Sequence, residues 1–208
     1  MAQAMLDGGT AVLLREREAS IETLLIQRPD RGSFGGAWVF PGGIVEAGDI
    51  VAGEDEVQIA ARAAVRECEE EVGLRPIDAR VFSCWVPPVE APKRVRTWFF
   101  LAHAPEGEIH PAPHEVMEAA WLSPVDALQR HAQGSLMLFP PTWITLSALA
   151  EHTSIAEALA SVTVPETYTT YLLGGGVFVW AGDAQHPSGG TGRHRLETDM
   201  MPWRYTRD

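Results

Sequence analysis

The choice of fold is narrowed most by one charged run, RECEEEVGL, from Arg66 to Leu74. On a helix, Glu67, Glu70 and Glu71 are i, i+3 and i+4 neighbours, so they share one face. The opposite arc is apolar and consists of Cys68, Val65, Val72, Ala61 and Ala64. Gly73 suits the left-handed residue that ends a helix. The run therefore predicts an amphipathic helix that ends at Gly73, with its acidic face directed away from the core.

The three glutamates favour a metal-binding function for this face. Like charges three and four residues apart destabilise a helix, so helix propensity alone does not select them. Mg²⁺ prefers carboxylate oxygens and leaves positions open for water and for phosphate oxygens. The alternative is a solvated acidic face, with Arg66 in a surface ion pair to Glu70.

A glycine-containing segment upstream, FPGGIVEAGD from Phe40 to Asp49, decides between these two interpretations. Together with the charged run it resembles the signature of the Nudix hydrolases. Gly43 and Asp49 match the first half of that signature, although the family usually has Glu at the position of Asp49. The run from Arg66 onward matches the second half, with Cys68 at an aliphatic position.

The spacing between the two halves departs from the family pattern. Sixteen residues, 50 to 65, separate Asp49 from Arg66, where the pattern has seven. We place the extra residues in the segment 50–54, because a longer loop before the helix costs little closure entropy. Asp55 and Gln58 then form a capping box that starts the helix. The spacing leaves open whether Asp49 meets Arg66, whereas the acidic face lies downstream of the insertion.

Length, composition and charge describe one globular enzyme domain that carries an appendage. A chain of 208 residues with 46% hydrophobic content buries a full core, and no segment is long and apolar enough to span a membrane. The N-terminus lacks the features of a secretory signal, and Cys68 and Cys84 are expected to be reduced and buried, so we expect a cytoplasmic protein. The net charge of −12 opposes binding to nucleic acid and to anionic membranes.

Strand and helix signals alternate along the first three quarters of the chain. Capping residues predict helices after Ser123, from Pro140 and after Ser154, where Glu157 completes a capping box. Apolar alternation predicts strands at 10–14, 21–27, 81–86 and 95–102. This mixture fits the α/β/α sandwich with a mixed sheet that the Nudix resemblance implies.

The last part of the chain, 165–208, is expected to form a β-rich extension to a Nudix domain at 1–164. A strand is predicted at 177–180, and a hairpin from 193–197 and 203–205. Trp180, Trp203 and Tyr205 are too apolar for a solvated tail, so the segment must dock. Docking on its own domain would place a lid over the site, whereas docking on a second copy would give a homodimer, which we favour.

The Nudix resemblance implies Mg²⁺-dependent hydrolysis of a nucleoside diphosphate linked to another group, with Mn²⁺ as an alternative ion. A metal held by carboxylates lowers the pKa of a bound water and neutralises charge on the attacking and leaving oxygens. The metal ligands that the resemblance implies are Glu67, Glu70, Glu71 and the carbonyl of Gly43. Arg66 would orient the acids, and Glu67 is alternatively the base that deprotonates the water.

A further acid from a downstream loop often assists in this family. Glu115 is our candidate for it, and Glu118 is the second choice. For both residues the alternative is that they cap or solvate the loop. Arg28 and Arg31 are predicted as phosphate contacts, with surface solvation as the alternative.

Alternation along the strand at 95–102 places cations and aromatic rings on one face. Arg94, Arg96 and Trp98 share this face with Phe100, while Val95, Thr97, Phe99 and Leu101 share the other. The first face suits phosphate binding and base stacking by a nucleotide. An exposed strand face is an equally good interpretation of the pattern.

Beyond the signature, the resemblance narrows to a branch with interrupted motifs, related to peroxisomal coenzyme A diphosphatases. The supporting segments are 36–43, 94–102, 121–124 and 140–142. Pro29 and Ser33 depart from the fuller coenzyme A signature, which has a small residue and an arginine there. The expected substrate is coenzyme A or acyl-coenzyme A. The alternatives are ADP-ribose or NADH as substrate, and a Nudix-fold ligand-binding regulator without catalysis.

Overall fold

The computed structural model describes residues 5–18, 20–31 and 35–208, so Ser33 lies outside the described residues. Within that part of the chain, eight strands form one mixed sheet. They are β1 (Leu6–Arg17), β2 (Ser20–Gln27), β3 (Trp38–Val39), β4 (Gly42–Ile44), β5 (Ile77–Val86), β6 (Val95–His103), β7 (Glu118–Leu122) and β8 (Glu166–Thr169). The four strands predicted from alternation are β1, β2, β5 and β6, each longer in the structure than the pattern indicated.

The sheet has the order β3-β2-β1-β6-β5-β8, with β4 also paired to β1 and β7 to β2. The pairs β1–β6 and β5–β8 are parallel, and the remaining pairs are antiparallel. Gly9 on β1 marks the point where a helix crosses the sheet. A Cβ at Gly9 would lie 1.9 Å from the carbonyl oxygen of Ala60, so only glycine allows this approach.

Helix α1 (Glu56–Val72) carries the charged run and covers one face of the sheet. Its start is confirmed, since Asp55 and Gln58 form the reciprocal capping box. Its end is confirmed as well: Gly73 is left-handed, with φ of 73°, and its N–H donates to the Glu69 carbonyl. The buried side of α1 is rich in alanine, which brings the helix axis close to the sheet.

Helices α2 (Pro124–Ala132), α3 (Pro140–Leu149) and α4 (Ile155–Ser161) pack on the opposite face. Ser123 and Ser154 cap α2 and α4 as predicted, by accepting from the N–H groups of Asp126 and Glu157. The Glu157 carboxylate accepts from the N–H and the hydroxyl of Thr153, both at 2.9 Å, and a backbone hydrogen bond from Ser154 also contributes to its lowered pKa. Helices on both faces of the sheet give the α/β/α sandwich that was expected.

The segment after β8 forms two small sheets. Strands β9 (Tyr171–Gly174), β10 (Val177–Val179), β13 (His194–Glu197) and β14 (Arg204–Arg207) form one, in the order β14-β13-β10-β9. Strands β11 (Gly182–Asp183) and β12 (Gly190–Gly192) form the other. The predicted strand is β10, and the predicted hairpin is the antiparallel pair β13–β14. A division at residue 164 stays a prediction, and β8, which follows it, belongs to the central sheet.

The aromatic residues of this segment are buried against their own chain. Trp180 is fully buried and meets Trp85 and Tyr168, whose rings stack on each other at 4.0 Å between centroids. Trp203 packs edge-on against His131, at 4.4 Å between centroids. These contacts lie on the face of the sheet opposite α1, so the segment does not form a lid over the acidic helix. The homodimer stays a prediction that these aromatic residues do not support.

Both cysteines are free and buried, as expected. Burial raises the pKa of the Cys68 thiol to about 12 and that of Cys84 to about 11. In the described part of the chain, no helix has the length and apolar character needed to cross a membrane.

Candidate active site

Arg66 is the centre of the acidic face of α1. Its Nε donates to Asp49 Oδ1 at 3.1 Å, and its Nη2 donates to Asp49 Oδ2 and to the Ile44 carbonyl, both at 3.0 Å. Its Nη1 donates to Glu67 Oε1 at 3.1 Å and to Glu70 Oε2 at 2.8 Å. The question that the spacing left open is therefore answered, because Asp49 meets Arg66 across the inserted residues.

The insertion folds back onto α1 and leaves Asp49 in place. A short 3₁₀ helix, Ala47–Asp49, turns the chain, and the buried Asp49 carboxylate accepts from the Glu46 N–H at 2.8 Å. Arg62 holds the inserted loop: its Nη2 contacts both Glu54 carboxylate oxygens, at 2.5 and 2.6 Å, and its Nε donates to the Asp49 carbonyl at 3.2 Å. The extra residues are thus accommodated beside the helix without moving the acid away from Arg66.

The charges of this cluster support one another. Burial alone would raise the pKa of Asp49, but the hydrogen bonds from Arg66 and from the Glu46 N–H outweigh it and lower the pKa. The hydrogen bond to Asp49 raises the pKa of Arg66 above its usual range, and burial opposes this shift. Burial raises the pKa of Glu67, although Arg66 counteracts it. Asp49 and Arg66 therefore form a charged pair that fixes the positions of the neighbouring acids.

Glu71 differs from the prediction, since it is fully buried rather than exposed on the acidic face. Its Oε2 accepts from the Gly42 N–H at 2.9 Å, and its Oε1 lies 2.5 Å from Arg28 Nη1. Burial raises the pKa of Glu71 to about 7, against the opposing effects of Arg28 and the Gly42 N–H. Periodicity missed this because β4 and the end of β2 cover the part of α1 that the pattern left to solvent.

Gly42 and Gly43 bring backbone atoms to the carboxylates. A Cβ at Gly43 would lie 2.2 Å from Glu67 Oε1, so the absence of a side chain leaves room for that carboxylate. In the antiparallel ladder, Gly43 pairs with Gly9. Two residues away on either side, the Val45 N–H donates to the Asp7 carbonyl and the Ala11 N–H donates to the Pro41 carbonyl. Alternation of hydrogen-bonded pairs then directs the Gly43 carbonyl at β1. The carbonyl that reaches the site is that of Gly42, which accepts from Arg28 Nη2 at 2.6 Å.

Of the two downstream acids, Glu115 is the one that the fold brings to the site. It lies close enough to Glu71 that its charge contributes to the raised pKa of Glu71. The loop that carries it is tied to the end of α1, because the Ala112 N–H donates to the Glu71 carbonyl at 2.9 Å. Glu118 is exposed at the start of β7, opposite Gln27.

The predicted phosphate contacts are engaged by the protein itself. Arg31 Nη2 donates to the His114 carbonyl at 2.6 Å, and Arg94 Nη2 donates to the Pro87 carbonyl at 3.3 Å. Arg96 binds Asp7 on β1 at 2.7 Å and both carboxylate oxygens of Glu56, the first residue of α1, at 3.1 and 2.5 Å.

Trp98 and the rest of its strand follow the predicted alternation. Phe99 and Leu101 lie in the core on the α2–α4 face, and Phe100 lies in the core under α1, where Trp98 packs at the edge. The face with cations and aromatic rings is thus largely covered by α1. Its role in substrate binding stays a prediction.

An open groove of about 230 Å³ lies beside Arg31 and the loop of Glu115. It is lined by Pro29, Asp30, Arg31, Pro113, His114 and Met117. A larger groove of about 640 Å³ lies elsewhere, between the end of β1 and α4. The smaller groove is the better candidate for a substrate site, because its lining residues follow Arg28, which holds Glu71, and flank Glu115 in the chain.

The donor set fits a hard divalent ion. As the side chains stand, no group of three or more His, Cys, Asp or Glu residues in the described ranges is arranged to hold a metal. The reason is visible in the contacts, since Arg66 and Arg28 lie among the carboxylates. The chemistry nevertheless suits Mg²⁺, because the oxygens are carboxylate and carbonyl groups. Among the described residues, buried Glu71 Oε1 has no hydrogen-bond partner, and Arg28 Nη1 lies 2.5 Å from it in an ion pair.

Two parts of this site are not predicted by the sequence pattern. The first is the contact of Arg28 with Glu71, since the sequence predicts Arg28 as a phosphate contact or as a solvated surface residue. The second is the Gly42 amide and carbonyl. For the Gly42 amide and carbonyl, the sequence signal is the pair Gly42-Gly43, because two successive residues without side chains allow close approach to the backbone.

Comparison with known proteins agrees with this geometry. The model of the NUDIX domain matches residues 5–140. At the level of sequence, no curated protein matches the chain. A NUDIX hydrolase from Alicyclobacillus acidocaldarius has a similar structure, with a TM-score of 0.70 and 22% identity over 79% of this chain and 99% of that one.

Two further structures share the fold. The MutT NUDIX hydrolase from Burkholderia pseudomallei has a TM-score of 0.54 and 25% identity, over 70% of this chain and 98% of that one. The NUDIX domain of Shewanella oneidensis NrtR, solved in complex with ADP ribose, has a TM-score of 0.56 and 19% identity, over 72% of this chain and 88% of that one. The match to the domain model covers more than half of the sequence, and the chain therefore belongs to the Nudix family of hydrolases.

Proposed function

We propose that the protein is a Mg²⁺-dependent hydrolase that cleaves the diphosphate of a nucleoside diphosphate linked to another group. The observation that carries this proposal is that Glu67 and Glu71 lie at the Gly42-Gly43 backbone, with Glu70 beside Glu67 on Arg66. Arg66, anchored by Asp49, fixes Glu67 and Glu70. A purely solvated acidic face would need neither a buried glutamate nor such an anchor.

We assign the metal-binding role to Glu67, Glu70 and Glu71, with the Gly42 carbonyl as a better-placed backbone ligand than that of Gly43. A bound Mg²⁺ or Mn²⁺ would lower the pKa of a coordinated water and neutralise charge on the phosphate oxygens. Glu67 is alternatively the base that deprotonates that water, and burial raises the pKa of its carboxylate. Glu115 would assist from the loop beside Glu71.

The preferred substrate is coenzyme A or acyl-coenzyme A, on the strength of the interrupted signature. The groove of about 230 Å³ beside Arg31 would hold part of it. ADP-ribose or NADH is the alternative, and the ADP ribose bound to the NUDIX domain of NrtR supports it. A non-catalytic regulator ranks below both, because all three glutamates of the acidic face are present. A cytoplasmic location is proposed from the two free, buried cysteines.

The test is a hydrolysis panel with Mg²⁺ and with five compounds or groups: coenzyme A, acyl-coenzyme A, ADP-ribose, NADH and oxidised nucleoside triphosphates. Glu70→Gln should lose at least about 100-fold in turnover while it keeps the thermal stability of the wild type. Glu69→Gln is the matched control, because Glu69 lies on the same helix but pairs with Arg75 at the surface. Comparable turnover by the wild type and Glu70→Gln would remove the metal-site assignment.

A further inference from the structure

The guanidinium of Arg28 contacts two groups that are also candidate metal ligands. Its Nη1 lies 2.5 Å from Glu71 Oε1, and its Nη2 donates to the Gly42 carbonyl at 2.6 Å. The Gly42 N–H binds the other oxygen of the same carboxylate. One guanidinium therefore spans a carboxylate oxygen of Glu71 and the carbonyl oxygen of Gly42.

A hard divalent ion and this guanidinium need the same two oxygen atoms. Carboxylate and carbonyl oxygens are the ligands that Mg²⁺ takes in proteins, at about 2.0–2.1 Å. Glu71 Oε1 is buried, so it has no water-facing side on which a second cation could bind. Two cations at one buried oxygen would also repel each other strongly, because the interior screens charge less than water does.

We infer that Arg28 is an exchangeable cation of the metal site, which a divalent ion displaces from Glu71 and from the Gly42 carbonyl. This inference rests on the proposed function. The displaced side chain stays at the site, since it extends from the end of β2, and about a quarter of its surface, 27%, is already exposed. It then carries an unpaired positive charge next to a bound cation.

That arrangement couples metal binding to phosphate binding. A phosphate group pairs with a guanidinium through two parallel hydrogen bonds, so it stabilises Arg28 in the displaced position. A phosphate ligand should therefore tighten the binding of the metal, and by linkage the metal should tighten the binding of the phosphate. Arg28 would act as a positioning residue, because it leaves the oxygens of Glu71 and Gly42 to the metal only when an anionic substrate binds its guanidinium.

The experiment measures Mn²⁺ binding to the full chain by electron paramagnetic resonance of the free ion, with and without AMP, which has no diphosphate to hydrolyse. For the wild type we expect weak binding that AMP tightens by about fivefold or more. For Arg28→Gln, which has lost the competing charge, we expect Mn²⁺ binding about tenfold tighter than that of the wild type, with no further effect of AMP. Arg28→Lys keeps the charge and should remain close to the wild type.

Arg75→Gln is the control for a general change in charge, because Arg75 forms an exposed ion pair with Glu69 near the end of the same helix. It should leave Mn²⁺ binding and the effect of AMP unchanged. Unchanged or weaker Mn²⁺ binding by Arg28→Gln, in a variant that unfolds at the wild-type temperature, would overturn the exchange and leave Arg28 as a fixed support for Glu71. Failure of the wild type to bind Mn²⁺ would instead remove the proposed metal site, and the exchange with it.

Discussion

Replacing Asp49 by alanine tests whether the acid before the insertion still stabilises the helix after it. The substitution removes three hydrogen bonds between Asp49 and Arg66, of 3.0, 3.1 and 3.4 Å, and leaves the Glu46 N–H without its acceptor. A hydrogen bond to a charged group contributes about 1.5–3 kcal/mol, and breaking a buried pair costs about 3–5 kcal/mol. In the variant, Arg66 still forms hydrogen bonds with Glu67 and Glu70, and 24% of its side chain is exposed. The expected loss of unfolding free energy is therefore near the low end of these ranges, about 2 kcal/mol.

For a chain of this size, about 2 kcal/mol lowers the unfolding temperature by about 4–8 °C. The assay is thermal and urea unfolding followed by circular dichroism, with Glu69→Ala as the control. Glu69 and Arg75 form an exposed ion pair on the same helix, with 42% and 69% of their side chains accessible, and its loss should cost less than about 1 kcal/mol. Equal stability of the two variants would refute the reasoning, because the insertion would then have uncoupled Asp49 from the helix.

Two further predictions concern the opposite face of the sheet. Trp180→Ala should destabilise the protein by about 3–5 kcal/mol, because Trp180 is fully buried against Trp85 and Tyr168. Urea unfolding measures this, and a cost no larger than that of Met200→Ala, at a position 74% exposed, would contradict it. Burial lowers the pKa of His131 below its ordinary value of 6.5, while the Leu136 carbonyl opposes the shift. At this histidine the unfolded chain then binds more protons than the folded one, so the contribution of His131 to stability should fall as the pH drops below about 6.5. The slope of unfolding free energy against pH should be smaller in His131→Gln, and an unchanged slope would exclude His131 as the cause.

Local signals predicted the boundaries of α1 well. The capping box at Asp55 and the left-handed Gly73 depend only on residues within one turn, so neighbours in the fold cannot easily override them. Alternation also predicted which side chains of β6 share a face, because a strand in the middle of a sheet has side chains on two packed faces. Such signals do not require knowledge of what packs against the element.

The periodicity of the sequence did not predict contacts between segments that are far apart in the chain. The burial of Glu71 depends on Gly42 and Arg28, which approach it from β4 and from the end of β2. The engagement of Arg96 depends on Asp7, 89 positions away along the chain. Periodicity shows which residues share a face, but it does not show which faces are covered by other elements, and this is why it predicts an exposed Glu71.

The parallel pairing of β5 with β8 has a consequence for the way the chain is made. Ser83 pairs with Glu166, and Trp85 with Tyr168, so β5 acquires this neighbour only after some 80 more residues have been synthesised. At about 5–20 residues per second, that interval lasts about 4–16 s. During this time the Trp85 side of the strand lacks the partners Tyr168 and Trp180, and apolar surface stays open. A nascent chain of this kind is a natural client for ribosome-associated chaperones, and a pause in translation before residue 165 would lengthen its exposure.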